Sequence, residues 1–218
     1  DRAADIALIR AETPPSQRHN QCSGKHAGFL TLNRHLGGVP EYVDPDHPVQ
    51  QAVRDSFEEA TDEVSAFHAI DGCSAPNLAC SLQGMARAMA WFATASESGP
   101  VSERAAVRLW QAMVRHPDLV AGEGRACTEL MRACSEPVAL KTGAEGFFVA
   151  ILPRRGLGVA LKVIDGGTRG ANCAIASILV RLGVLDADHP AARRFRDATI
   201  RNWRDIETGM IRPAASLA

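Results

Sequence analysis

FFVAILPRRGLGVALKV, residues 147–163, contains two apolar runs of strand length around a short segment that carries Pro153 and Gly156. Proline and glycine between two β-rich runs are typical of a hairpin, so the stretch predicts antiparallel strands at 147–152 and 158–163. Most of the remaining sequence has helical periodicity. The hairpin therefore makes the predicted fold α+β (mixed α/β), a helical region with an antiparallel sheet near the C-terminus.

The predicted helices are delimited by proline and glycine. Pro14-Pro15 ends the first helix, Gly37-Gly38 ends the second, and Pro48 suits the first turn of the third. A short apolar run at 67–70 predicts a strand that leads into a polar loop. The predicted helices cover 4–12, 23–36, 48–62, 84–95, 102–115, 125–134, 169–182 and a segment from 191 onward. We interpret about 1–135 as the helical region and about 136–218 as the sheet and C-terminal helices of a single domain.

Composition excludes several classes of partner. The net charge of the 218 residues is −1, with both signs interspersed, so neither nucleic acid nor a membrane surface is indicated. No apolar run reaches the length of a membrane span, and the first residues lack a signal-peptide pattern. The six cysteines include no C-x-x-C pair. We therefore expect reduced thiols in a cytoplasmic protein, most of them small buried residues.

Residues 20–26, NQCSGKH, place a thiol and an amine three positions apart at the predicted start of a helix. Cys22 and Lys25 can then share one helix face. The positive end of the helix dipole favours a thiolate and a neutral amine, and that pair can ligate a cation such as Zn²⁺. The alternative is a helix capped by Ser23 with Lys25 in solvent. Spacing alone leaves both interpretations open.

The loop after the predicted strand at 67–70 begins Asp71-Gly72-Cys73. Its carboxylate and thiol could supply a substrate-binding group and a third metal ligand. The residues by themselves favour a simpler interpretation, an Asx-type turn with a small buried cysteine.

Residues 141–146, KTGAEG, directly precede the hairpin. A Lys-Thr-Gly beside a strand is similar to the motif of penicillin-recognising acyl-transfer enzymes, where it lies near a Ser-x-x-Lys pair. This sequence has only three lysines, and the residues three positions before them are Cys22, Val138 and Val159. A serine nucleophile at that spacing is thus missing from residues 1–218, whereas a cysteine nucleophile at Cys22 stays open.

Four segments in this order resemble the asparaginase II family of rhizobial-type L-asparaginases: NxCSGKHAG at 20–28, DGCxxP at 71–76, RHPxxVAGEGR at 115–125 and KxGA at 141–144. The resemblance implies a fold similar to serine β-lactamases and glutaminases, and hydrolysis of L-asparagine by a homodimer. It implies that a zinc ion is held by Cys22, Lys25 and Cys73. It further implies that Asp71 contacts substrate or a metal-bound water and that Lys141 transfers protons. His26 and Cys127 would belong to the pocket.

The nucleophile of that family lies in a Ser-x-x-Lys motif upstream of the segment that matches residue 1. We therefore expect the chain to be the C-terminal portion of one asparaginase II-type domain, without the nucleophile helix and the first strands of the sheet. The isolated chain would then be inactive. Open alternatives are a complete zinc-hydroxide amidohydrolase, a glutaminase or penicillin hydrolase, and a non-catalytic remnant that binds amino acids.

Overall fold

The computed structural model describes residues 2–217, which form nine α-helices and three small antiparallel sheets. The helices are α1 (Arg2–Arg10), α2 (Ser23–Leu36), α3 (Pro48–Thr61), α4 (Leu82–Thr94), α5 (Val101–Arg115), α6 (Pro117–Ala121), α7 (Ala126–Ala133), α8 (Thr168–Arg181) and α9 (Pro190–Arg196). The strands are β1 (His68–Ile70), β2 (Pro76–Leu78), β3 (Ala139–Thr142), β4 (Phe147–Leu152), β5 (Leu157–Lys162), β6 (Ala198–Arg201) and β7 (Glu207–Ile211). The mixed α+β composition is confirmed.

The chain divides after Gly84 into two compact units. The first unit contains α1 to α3 and the β1–β2 hairpin, and the second contains the larger sheet and the later helices. The interpretation as one domain with a helical region over about 1–135 stays a prediction. Within residues 2–217, no helix is both long and apolar enough to cross a membrane.

In the first unit a small apolar cluster holds a loop against a helix. Phe29 on α2, Val49 on α3 and Ala75 in the β1–β2 loop are buried together, and Cys73 packs against them. The predicted ends are confirmed, because Gly37 caps α2 in the left-handed conformation at φ 66° and Pro48 begins α3. The side chain of His47 also accepts the Val49 N–H at 3.1 Å. This packing fixes residues 71–75 beside the start of α2.

In the second unit the predicted hairpin is confirmed as β4 and β5, with Phe148 opposite Leu161 and Ile151 opposite Gly158. A third strand, β3, pairs with β4 on its other side, so the sheet order is β3-β4-β5. Its inner face packs against α7, α8 and α9 in the largest buried cluster of the described chain. Lys141 and Thr142 precede the β4–β5 hairpin, as predicted, and they belong to β3, a strand that was not predicted.

Other details also differ from the prediction. The helix expected from 191 onward ends at Arg196, and the hairpin β6–β7 follows it. The strand β2 returns beside β1 after only five residues, so Asp71 and Cys73 lie in a tight hairpin loop. Cys73 and Cys80 therefore flank β2 and do not share a helix face.

Gly158 gives a direct test of this packing. A Cβ at this position would collide with Ala86 O and Ala90 N and would lie 2.6 Å from Met89 C, all main-chain atoms of α4. A helix backbone cannot yield as a flexible side chain does, so Gly158→Ala should lower the free energy of unfolding by about 2–3 kcal/mol. Thermal unfolding should show a decrease in Tm of several degrees.

The neighbouring substitution Val159→Ala is the matched control, because it changes a half-buried side chain without adding an atom near α4. A Tm for Gly158→Ala equal to that of the wild type would contradict the close approach of β5 to α4.

Candidate metal centre

The start of α2 presents two of the predicted site residues. Cys22 occupies the N-cap position, Lys25 lies in the first turn, and no side chain caps this helix end. The backbone N–H of Cys22 donates instead to Asn20 Oδ1 at 2.8 Å. The capping role considered for Ser23 is thus wrong, since Ser23 is already the first helical residue. The expected shared face is confirmed, because Cys22 and Lys25 contact the same carboxylate.

The β1–β2 loop supplies the other two residues. The Asp71 N–H donates to Ala75 O at 2.9 Å and the Ser74 N–H donates to Asp71 O at 2.8 Å, which closes a tight turn. Ser74 adopts φ 74° within it. Asp71 Oδ1 accepts the Gly72 N–H at 2.7 Å, so its other oxygen, Oδ2, is available to side chains.

Asp71 Oδ2 is the centre of a four-residue cluster that we call the Asp71 cluster: Cys22, Lys25, Asp71 and Cys73. The Lys25 ammonium donates to this oxygen at 2.9 Å, the Cys73 thiol at 3.3 Å, and the Cys22 sulfur lies 3.9 Å away. The ligand atoms of the two cysteines and the aspartate all lie within 4.8 Å of one another, and this is the one such group among residues 2–217. The structure thus joins two motifs that are 46 residues apart.

The charges in the cluster stabilise each other. Hydrogen bonds from Lys25 and then Cys73 lower the pKa of Asp71 from 3.8 to about 2, against the opposing effect of burial. Burial would lower the pKa of Lys25, but its hydrogen bonds to Asp71 and Cys73 outweigh burial and raise it. Burial and a hydrogen bond with Cys73 raise the pKa of Cys22, with the charge of Lys25 opposing them.

The sequence-based expectation of a thiolate at Cys22 and a neutral amine at Lys25 is therefore wrong in direction for this structure. The helix dipole acts on both residues, but the carboxylate of Asp71 is closer and carries a full charge. Its hydrogen bond raises the pKa of Lys25, whereas burial is the largest cause of the raised pKa of Cys22.

The ion pair predicts a measurable titration. In the wild type, the ¹³C signal of the Asp71 carboxyl should titrate with a pKa of about 2. In Lys25→Met it should move up toward 3.8, because the largest cause of the depression is removed. Lys162→Met, which removes another exposed lysine, should leave it unchanged.

The sign of the stability effect follows from the depressed pKa. Ionised Asp71 stabilises the fold above its ordinary pKa, and that contribution is lost as the pH falls from 3.8 to about 2. The effect should be small because both side chains are more than a third exposed to solvent. An unchanged Asp71 titration in Lys25→Met would contradict the ion pair.

His26 lies beside the cluster residues in sequence but makes different contacts. Its Nδ1 forms a 2.8 Å hydrogen bond with the Tyr42 hydroxyl, and its ring packs edge-on against Phe29 and Tyr42. Its Nε2 is buried and has no hydrogen-bond partner among residues 2–217. Sequence reasoning missed Tyr42, since the chain's single tyrosine lies in a loop without a motif.

Cys127 and Lys141 belong to the second unit, where β3 meets α7. The Thr142 N–H donates to Cys127 Sγ at 3.2 Å, which places the thiol beside the Lys-Thr-Gly segment. Cys127 is buried, and this burial raises its pKa. Within residues 2–217, the Lys141 side chain forms one hydrogen bond, to the main-chain oxygen of Thr142.

The donor types of the Asp71 cluster are ones that zinc accepts. Thiolates, an amine nitrogen and a carboxylate are all donors that Zn²⁺ accepts. Donor atoms around tetrahedral zinc stand about 3.3–3.8 Å apart. The two cysteine sulfurs and an Asp71 carboxylate oxygen lie within 4.8 Å of one another, and Lys25 Nζ lies 2.9 Å from Asp71 Oδ2, so small movements would bring these donors to such spacings. The residues present therefore fit the ion.

The family model described as L-asparaginase II matches residues 1–213. The chain belongs to the L-asparaginase II family. Membership implies an amidohydrolase that acts on a small molecule. A comparison with curated proteins finds no match.

Proposed function

We propose that this chain takes part in the hydrolysis of L-asparagine to L-aspartate and ammonia, as the portion of the enzyme that binds zinc and substrate. The observation that carries the proposal is the Asp71 cluster, found in a chain that belongs to an asparaginase family. An ion pair as exposed to solvent as Lys25–Asp71 contributes little to the stability of the fold. Its position beside two thiols therefore favours a functional role for the group over a structural one.

In this proposal zinc is held by Cys22, Lys25 and Cys73, and Asp71 orients Lys25. Asp71 already holds the lysine nitrogen by a 2.9 Å hydrogen bond, so it can keep the amine in place after the amine loses its proton. Bound zinc would supply a fixed positive charge that organises the pocket and positions the substrate. It would also join the start of α2 to the β1–β2 loop.

The residues of this chain then bind substrate and move protons. Asp71 stays ionised at neutral pH because its pKa is about 2, so it can accept hydrogen bonds from the ammonium or amide of asparagine. Lys141 transfers protons to and from the nucleophile and the departing ammonia. Backbone N–H groups hold the oxyanion that develops at the amide carbon.

The nucleophile in this proposal is a serine from outside residues 1–218, because no lysine of the sequence follows a serine at the required spacing. The serine would attack the amide carbon and release ammonia, and water would then hydrolyse the acyl-enzyme to aspartate. The proposed overall fold is that of the serine β-lactamases and glutaminases, with β3, β4 and β5 as one part of its sheet. Cytoplasmic location and a homodimer stay predictions.

Ammonia release and calorimetry with L-asparagine test the proposal. Residues 1–218 should bind asparagine and release little ammonia, whereas the product of the complete gene should release ammonia at an enzymatic rate. Enzymatic turnover by residues 1–218 alone would refute the external serine, and its loss with a chelator would indicate zinc-hydroxide chemistry. The absence of both binding and turnover in both proteins would refute the function.

A further inference from the structure

The second unit contains a cavity, lined in part by Cys127, to which the proposed function assigns no role. Its volume is about 180 Å³, and it lies where the starts of α7 and α8 meet β3. That volume holds about six water molecules at roughly 30 Å³ each. A cavity of this volume suits a small metabolite.

Two polar side chains line the cavity from one face of α8. Thr168 and Asn172 are four residues apart, so they are adjacent on the helix surface. Asn172 is half-buried. Within residues 2–217, neither its side-chain amide nor the Thr168 hydroxyl forms a hydrogen bond with another residue. An amide at a cavity wall without a protein partner is free to bind a ligand.

The electrostatic character of the lining is positive. Arg125, an exposed residue of the cavity wall, makes no ion pair within the described chain, and no acidic residue lines the cavity. Gly124, Arg125 and the first residues of α7 form a second wall. No side chain caps α7 or α8, so the partial positive charge of both helix starts adds to that of Arg125.

We infer that this cavity is a carboxylate-binding pocket in which Arg125, Thr168 and Asn172 recognise the α-carboxylate of a small amino acid. The guanidinium and the amide offer N–H donors that match the two carboxylate oxygens, and the threonine hydroxyl adds a third donor. Phe195 supplies an apolar wall. The identification of the amino acid as asparagine rests on the proposed function, whereas the carboxylate pocket does not.

An ¹⁵N NMR titration of the chain with matched ligands tests the pocket. L-asparagine and succinate should shift the amide signals of Cys127 and Asn172, and 3-aminopropanamide, which is asparagine without its carboxylate, should not. Inorganic phosphate is the competing anion. Asn172→Ala and Arg125→Gln should each weaken succinate binding at least tenfold, while Arg169→Gln, which removes an arginine of α8 outside the cavity, should leave it unchanged.

Asn172→Asp keeps the size of the side chain and should abolish succinate binding by charge repulsion, with an unchanged thermal transition as the folding control. Equal binding of asparagine and 3-aminopropanamide, or no shift with any carboxylate, would overturn the pocket. Preference for phosphate would also overturn it. Carboxylate binding without asparagine hydrolysis by the complete gene product would leave the pocket standing and refute the proposed function.

Discussion

Replacing Cys73 by serine is expected to weaken zinc binding on the order of 1,000-fold, because a serine hydroxyl does not ionise near neutral pH and is a poor ligand for this ion. The loss should exceed the 10–100-fold that removal of an orienting partner produces, since a donor of the cluster itself is removed. Cys22→Ser should behave in the same way. Competition with a chromophoric chelator gives the affinities, and X-ray fluorescence gives the zinc content of each purified variant.

Cys80→Ser is the matched control for both changes. Cys80 is another half-buried thiol of the first unit, a short distance along the chain, and it is not a member of the metal-binding group. Its replacement should leave zinc binding within a few-fold of the wild type. Equal zinc content in Cys22→Ala and the wild type would remove the Asp71 cluster from the metal assignment, whatever the activity of the variants.

The parts of the fold that the sequence predicted are those with strong local signals. The hairpin β4–β5 consists of two apolar runs around proline and glycine, and the ends of α2 and α3 carry residues that stop or start a helix. β3 escaped prediction because its four residues, ALKT, are too few to show a period, and pairing with β4 decides their conformation. The hairpin β6–β7 escaped because the arginines of α9 made the helix look continuous.

The site was predictable only in part, for a related reason. The spacing of Cys22 and Lys25 on one helix turn is local, and it predicted their shared face. The meeting with Asp71 depends on α2, α3 and the β1–β2 loop packing around Phe29, which no local pattern encodes. The resemblance to a family identified Asp71 through its motif, but it did not indicate the effect of the cluster on the pKa values of Cys22 and Lys25. The pKa directions of Cys22 and Lys25 were therefore wrong.

Either Lys25 or Asp71 could be the third zinc ligand beside the two cysteines. The number of protons released when zinc binds distinguishes the two possibilities. The Lys25 pKa is raised above 10.5, so the amine must lose a proton before it can bind zinc. Asp71 has a pKa of about 2 and is already ionised at neutral pH. Binding through the two thiols and Lys25 thus releases one proton more than binding through the two thiols and Asp71.

If Lys25 is the third ligand, the zinc affinity of the wild type should rise with pH about tenfold per unit more steeply than that of Lys25→Met, because the amine loses its proton on binding. The affinity falls as the pH falls, because protons compete with zinc for the same atoms. Lys25→Met should also weaken zinc binding at pH 7.5, because it removes one of the three ligands. Asp71→Asn should keep the steeper pH dependence of the wild type. Its zinc affinity should fall about 10–100-fold, because the hydrogen bond that orients Lys25 is lost. The same pH dependence of zinc affinity in the wild type and Lys25→Met, together with loss of zinc binding in Asp71→Asn, would contradict Lys25 as the ligand. The Asp71 carboxylate would then be the ligand, and Lys25 would be its counter-ion.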